Sequence, residues 1–185
     1  MLFLSETFIG TPVMSLQTGS ELGVTKQAVI DPRNLTIVAF YLDGPNLDRT
    51  PSLLLCSDIR EVGDLGLIIN SNEELVVPDD VFSMRTVLEL NFNPIELPVV
   101  DDKGTKLGKV SNYTVDATSF VIQQLSVRRP LLQNLTTTEL LIHRKQIIGV
   151  TSTQITVRST TAKQPVAERT KLFANPFKNA PKPES

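Results

Sequence analysis

The most constraining feature of this chain is a pattern of short elements that occurs twice. Each copy has a Pro-Val pair, a Gly-x-x-Leu-Gly turn, an aspartate and an apolar β-branched run. In copy one these are Pro12-Val13, Gly19 to Gly23, Asp31 and Ile37 to Leu42; in copy two they are Pro98-Val99, Gly104 to Gly108, Asp116 and Ile122 to Val127. The offset is 85 residues from the turn glycines to the aspartates and 86 upstream of them. A length change confined to a loop is typical of a duplication.

The repeat predicts two small similar domains and leaves no room for a large catalytic domain. We expect domain 1 at 1–77, a linker at 78–90, domain 2 at 91–161 and a tail at 162–185. Of the 185 residues 41% are hydrophobic but only 5% are aromatic, so the cores must consist of Leu, Ile and Val.

Each copy is predicted to contain about five short strands separated by turns. In copy one the expected strands are Phe8 to Leu16, Leu22 to Ile30, Leu35 to Leu42, Leu53 to Cys56 and Leu65 to Ile69. In copy two they are Leu97 to Val100, Leu107 to Val115, Phe120 to Val127, Leu140 to His143 and Ile155 to Val157. Short strands at this spacing predict an all-β fold of two tandem antiparallel barrels, each small. The linker is predicted to form one short helix at about Asp79 to Leu88, from acids followed by apolar residues at helical spacing.

Charge and composition suggest a cytoplasmic protein without membrane insertion. The longest apolar runs fall far short of the ~20 residues of a membrane span, and no signal peptide is recognised. The single cysteine, Cys56, excludes an internal disulfide and suits a reducing compartment. The net charge is −2, divided into −5 for residues 1–161 and +3 for the Pro-rich tail, which we predict to be disordered.

The paired Gly-Thr-Pro-Val, Gly-x-x-Leu-Gly and Asp elements resemble tandem PRC-barrel domains. The later Leu-rich strand and glycine of that family correspond to Leu53-Leu54-Leu55 with Gly63, and to Leu140-Leu141-Ile142 with Gly149. The resemblance covers residues 4–77 and 91–158. Copy two departs from it at Glu96, where the opening glycine is expected.

The resemblance implies a non-catalytic binding and assembly module with a protein or ribonucleoprotein partner. The family includes the H subunit of bacterial photosynthetic reaction centres and the C-terminal domain of a ribosome maturation factor. The alternatives are a role in ribosome assembly, by family analogy, and, ranked last, an enzyme with an unrecognised site. The resemblance implies no catalytic set, and we expect no cofactor and no metal; a homo-oligomer stays open.

The glycine turns and acidic pairs have structural explanations. Gly19 and Gly104 lack the spacing of a Walker or dinucleotide loop, so we expect them to be turn residues with positive φ. The pair Asp101-Asp102 has too few ligands for a calcium loop and is expected to belong to a hairpin turn.

The chain has one histidine, His143, and one cysteine, Cys56. His143, the only histidine, is expected at a strand end, with a partner-facing role as the alternative. Cys56 aligns with His143 at about the equivalent position of the other copy. Because the two are expected in separate barrels, a Cys–His nucleophile pair is not favoured.

The candidate partner-binding residues are basic or aromatic. Those in copy two lie at strand ends, where barrel loops could bring them together: Arg128, Arg129, His143, Arg144 and Lys145. A phosphate-facing patch is one interpretation, and a solvated rim is the favoured one because aromatic stacking residues are missing nearby. In the tail, Phe173 and Phe177 could dock on a partner.

Overall fold

The computed structural model describes residues 1–129 and 139–159, which are mainly β-structure. The described strands are β1 (Leu2–Leu4), β2 (Pro12–Ser15), β3 (Glu21–Asp31), β4 (Thr36–Asp43), β5 (Ser52–Leu55), β6 (Glu61–Gly63), β7 (Gly66–Ile69), β8 (Leu75–Val76), β9 (Pro98–Asp101), β10 (Lys106–Asp116), β11 (Ile122–Arg128), β12 (Glu139–His143), β13 (Ile147–Val150) and β14 (Ile155–Val157). The one α-helix of these ranges, α1, is Arg85–Leu90. The all-β prediction is confirmed. The predicted tail, with Phe173 and Phe177, lies outside the described residues.

The strands form two sheets that share one strand order. The first sheet has the order β6-β7-β2-β3-β4-β5-β8, and the second has the order β13-β14-β9-β10-β11-β12, with β1 also paired to β10. The strands β2 to β7 of the first sheet therefore occupy the same places in the order as β9 to β14 of the second sheet, respectively. Within the described residues each order has two ends, so neither sheet closes into a barrel there.

The hydrogen-bond register repeats together with the strand order. Val13 lies opposite Gly23 in an antiparallel pair and opposite Leu67 in a parallel pair. Val99 lies opposite Gly108 and Ile155 in the same two kinds of pair. The offset of 85 residues in the sequence is thus also the offset between the central strands β3 and β10.

The turn after each central strand is built in the same way. The Asp31 carboxylate accepts the amide N–H of Arg33 at 2.9 Å, and the Asp116 carboxylate likewise accepts the amide N–H of Thr118. Leu35 and Phe120 end these turns with φ of 51° and 55°. A side-chain oxygen that binds nearby amides lets the chain reverse here without glycine.

The opening turn survives in copy two although its glycine is replaced. Gly10 has φ of 73° and Glu96 has φ of 66°. The amide N–H of Gly10 donates to the Thr25 carbonyl at 2.7 Å, and the amide N–H of Glu96 donates to the Val110 carbonyl at 2.8 Å. Glu96 therefore keeps the left-handed backbone of its counterpart Gly10.

The linker helix begins later than the sequence predicts. Pro78–Asp80 and Phe82–Met84 form 3₁₀ turns, and α1 starts only at Arg85. Val81, between the two turns, has φ of −106° and ψ of 69°, which interrupts the helical hydrogen-bond pattern. No helix in residues 1–129 or 139–159 is long and apolar enough to cross a membrane.

Two compact units contain the two sheets. Glu6–Val29 and Ile37–Glu89 make up the unit of the first sheet. The unit of the second sheet includes Met1–Ser5, Ile30–Thr36 and the described residues from Leu90 onward. Strand β1 and the turn between β3 and β4 therefore belong to the unit formed mainly by the later half of the chain.

Candidate functional site

The strand register separates the predicted basic residues of copy two. Arg128 on β11 lies opposite Glu139 on β12, and Gln124 lies opposite His143. Arg128 and Arg144 are therefore at opposite ends of this strand pair, about 13 Å apart along β11. The register itself therefore does not bring the two basic pairs together, because antiparallel pairing places the end of one strand beside the start of the next.

Arg128 is engaged with an acidic side chain. Its Nη2 lies 2.8 Å from Oε1 of Glu96, and Nζ of Lys109 lies 3.5 Å from the other oxygen of the same carboxylate. Such exposed pairs contribute little to stability, but they direct the guanidinium toward a carboxylate. Arg129 follows the end of β11 as an exposed residue.

His143 caps the short 3₁₀ turn Arg144–Gln146 at the end of β12. Its Nδ1 accepts the amide N–H of Lys145 at 3.2 Å, while the Gln146 side chain accepts the amide N–H of His143 at 2.8 Å. This reciprocal pair is a capping box. The prediction that His143 lies at a strand end is confirmed.

Cys56 is not the counterpart of His143. In the first sheet Leu55 lies opposite Ala39, and in the second His143 lies opposite Gln124, which is 85 residues after Ala39. The register thus matches His143 with Leu55, one residue before Cys56. The sequence alignment is off by one here because the loops before β5 and β12 differ in length.

The Cys56 thiol is poorly suited to be a nucleophile. Burial raises its pKa, and the charge of Asp58 raises it further, so little thiolate exists at neutral pH. Cys56 and His143 also belong to different units. The raised pKa weighs against the Cys–His alternative.

The glycine and aspartate turns have the structural roles expected of them. Gly19 and Gly104 have φ of 66° and 81°, which confirms that they serve as turn residues. Asp101 accepts the amide N–H groups of Lys103 at 2.9 Å and Thr105 at 2.7 Å, as a hairpin-turn aspartate does. Residues 1–129 and 139–159 contain no group of three or more side chains that could hold a metal.

The first sheet has an apolar outer face that the linker helix covers. We call this the first outer face and define it by the alternating side chains Val29, Ala39, Tyr41, Leu53 and Leu55. These pack in one cluster with the buried Val87 of α1 and with its neighbours Met84 and Leu88. The face is thus removed from water by an element of its own unit.

The corresponding face of the second sheet is polar. We call it the second outer face and define it by Thr114, Gln124, Ser126, Leu141 and His143, the register counterparts of the first outer face. The pair Ala39–Leu55 becomes Gln124–His143, and the pair Tyr41–Leu53 becomes Ser126–Leu141. Among the described residues no helix covers this face, and Leu141 is 40% exposed where Leu53 is fully buried.

The opposite face of the same strands is unchanged in character. Phe40 lies opposite Leu54 in the first sheet, and Leu125 lies opposite Ile142 in the second. All four side chains are buried. At these positions the core is apolar in both sheets, whereas the outer face is apolar in one and polar in the other.

The second outer face contains a depression and an unsatisfied hydroxyl. Gln124 and His143 line the depression together with Leu2, Asp116 and Gln123. Thr114, opposite Gln124 in the register, is 7% exposed, and its hydroxyl is the one buried side-chain polar atom without a hydrogen-bond partner in the described ranges. A buried donor without a partner costs free energy, so this position favours an added polar contact.

No protein-family model matches this chain, and no curated protein matches it either. The assignment of a site therefore depends on the internal comparison of the two sheets.

Sequence reasoning identified His143 but missed the other members of the second outer face. The signal was present in the repeat, because Val29 and Ala39 align with Thr114 and Gln124 at the constant offset of 85. Leu141 could not be matched in this way, since its offset from Leu53 is 88 and emerges only from the strand register.

Proposed function

We propose that this chain is a non-catalytic binding and assembly module built from two PRC-barrel-like domains, with another protein as its partner. The common strand order of the two sheets and the recurrence of both turns support the tandem interpretation. Because the two sheets share a scaffold, a function of the second sheet must be argued from a site on it, and its outer face is the part that differs in chemistry.

The observation that carries this proposal is the change of the outer face from apolar and covered by α1 to largely polar, with no helix over it among the described residues. A solvent-facing sheet surface requires no exposed leucine, yet the second outer face combines Leu141 with amide, hydroxyl and imidazole groups. Leu2, 49% exposed, lies at the adjoining depression. Apolar anchors among hydrogen-bonding groups are typical of protein interfaces.

The same geometry favours a protein over RNA as the partner. Recognition of a phosphate backbone requires cations along a continuous track. Here Arg128 is paired with Glu96, and the two basic pairs stand at opposite ends of the β11–β12 strand pair. A role on ribosomal particles therefore depends on the family analogy alone.

The test is affinity capture with matched surface variants of the full chain. Leu141→Asp places a charge on the second outer face, and we expect it to lose the partner that the unmodified chain retains, because the interface would bury that charge. Ile148→Asp is the matched control, since Ile148 is an exposed residue of the edge strand β13 in the same sheet. Equal retention or equal loss by the two variants would contradict the proposal.

Co-sedimentation with ribosomal particles distinguishes the protein-partner proposal from a role in ribosome assembly. We expect no salt-sensitive association; one that weakens steeply as salt rises and persists in Leu141→Asp would support the ribosome role instead.

A further inference from the structure

His143 lies where the chain passes between the two ends of the second sheet's strand order. It is the last residue of β12, and three residues separate it from β13, which begins at Ile147. β12 and β13 stand at opposite ends of the described strand order. The 3₁₀ turn Arg144–Gln146 therefore connects one edge of the sheet to the other.

The cap that closes this turn depends on one lone pair of the imidazole. Nδ1 of His143 accepts the amide N–H of Lys145 at 3.2 Å, and only an unprotonated Nδ1 can accept it. The ring is exposed, and histidine is the side chain that changes its charge between pH 8 and pH 5. Protonation makes Nδ1 a donor that faces another donor, so this half of the capping box is lost.

The charged groups around the ring favour its departure from the turn once it is protonated. Arg144 and Lys145 follow it in the chain and have the same sign of charge as an imidazolium. Gln124, which lies opposite His143 on β11, is neutral. Among the described residues, the acidic side chain that lines the same depression as His143 is Asp116 at the end of β10.

Asp116 stays ionised at a pH at which a histidine is protonated. The hydrogen bond from the Ser119 hydroxyl, followed by the contact with the amino group of Met1, holds the pKa of this carboxyl below its usual range. A carboxylate has about four acceptor positions, and these two groups and the Thr118 amide occupy three. Asp116 therefore offers an imidazolium an opposite charge and a remaining acceptor position.

We propose that His143 is a proton-operated switch on the second outer face: neutral, it caps the turn between β12 and β13, and protonated, it leaves the cap for the Asp116 carboxylate. The two states exclude each other, because the Lys145 amide requires an acceptor and the carboxylate requires a donor. In acid the turn loses its cap and the ring bridges the depression. The switch requires no partner, and only its effect on partner binding rests on the proposed function.

The test is NMR spectroscopy of the purified full chain between about pH 8 and pH 5.5. The chain has a single histidine, so the ring gives one set of signals to follow. We expect the amide signal of Lys145 and the side-chain carboxyl signal of Asp116 to shift with the same midpoint as the His143 ring. The first shift reports the loss of the cap, and the second reports the arrival of the ring at the carboxylate.

Two controls separate the switch from a general effect of acid. His143→Asn keeps a capping oxygen that does not titrate, so the signals of Lys145 and Asp116 should stay in place in this variant. The amide of Lys103 is an internal control, because the Asp101 carboxylate accepts it at 2.9 Å and does not become protonated in this range. Its signal should also stay in place.

A Lys145 amide signal that does not follow the ring would overturn the inference, and so would equal shifts of Lys145 in His143→Asn. A stationary Asp116 signal would overturn it as well, since the protonated ring would then have no second binding position. The measurement uses the isolated protein. Failed affinity capture with the expected shifts would therefore reject the partner alone, and successful capture without them would reject the switch alone.

Discussion

At the scale of single residues, Glu96 combines a strained backbone with exposed ion pairs. A non-glycine residue with positive φ is strained by its Cβ, and the counterpart Gly10 has no such strain. Glu96 instead holds Lys109 and Arg128 with its carboxylate. The ionic contacts are exposed, and we therefore expect the backbone cost to outweigh them.

Glu96→Gly should raise the free energy of unfolding, or leave it unchanged, because about 1 kcal/mol of backbone strain is relieved. Glu96→Ala should lower it, since the strain stays and the ion pairs are lost. Urea denaturation of the two variants measures the difference. In the reciprocal variant, Gly10→Ala, the new Cβ has space. The positive φ is then strained, and the free energy of unfolding should fall by about 1 kcal/mol. If Glu96→Gly were less stable than the unmodified chain, the ion pairs would contribute more to stability than the backbone strain costs.

At the scale of elements, the sequence predicts the strands with a repeated apolar pattern and misses the shortest ones. The long central strands were expected at 22–30 and 107–115 and are observed as Glu21–Asp31 and Lys106–Asp116. The missed strands β1, β6, β8 and β13 have two to four residues. Their pairing partners decide their conformation, and a strand of this length has too few residues to show alternation.

The candidate site was only partly predictable for the same reason. His143 was identified because it is chemically distinctive, whereas Thr114, Gln124 and Ser126 are ordinary strand residues until the register places them on one face. The positions of the basic residues relative to one another were not predictable, because a strand end can be predicted from sequence but the end of the sheet at which it lies depends on pairing.

The linker helix provides a test at this scale. Val87 is 4% exposed in the apolar cluster, so Val87→Asp should lower the free energy of unfolding by about 3 kcal/mol through burial of a charge. Phe82→Asp is the matched control, because Phe82 is 80% exposed and should change the stability by less than about 0.5 kcal/mol. Equal effects of the two changes in chemical denaturation would mean that α1 does not cover the face.

At the scale of the whole molecule, the two units are not two continuous stretches of sequence. The repeat predicts ranges 1–77 and 91–161, but β1 pairs with β10, and the amide of Ile122 donates to the Leu35 carbonyl at 2.8 Å. A fragment beginning at residue 91 would lack both contacts. The repeat identifies equivalent strands, whereas the membership of a unit depends on contacts that a sequence offset does not contain.

Acid should destabilise the folded chain. Four carboxyls have a lowered pKa because they accept hydrogen bonds: Asp31 chiefly from Arg33, Asp101 from Thr105, Asp102 from Ser159 and Asp116 from Ser119. The unfolded chain therefore binds more protons than the folded one as the pH falls below about 4, and the free energy of unfolding falls with it.

Urea denaturation between pH 7 and pH 3 measures this dependence. Asp31→Asn should show a smaller loss over the same interval, because it lacks one of the four groups while its side-chain oxygen can still accept the Arg33 amide. A free energy of unfolding that is constant across the interval would contradict the assignment.

The pairing of β1 with β10 also has a consequence for synthesis of the chain on the ribosome. Asp116, opposite Leu2, follows it by 114 positions. At about 5–20 residues per second, β1 emerges roughly 6 to 23 seconds before its partner strand exists. During that interval its three apolar residues, Leu2, Phe3 and Leu4, have no native partner and are a natural target for a chaperone that holds nascent chains.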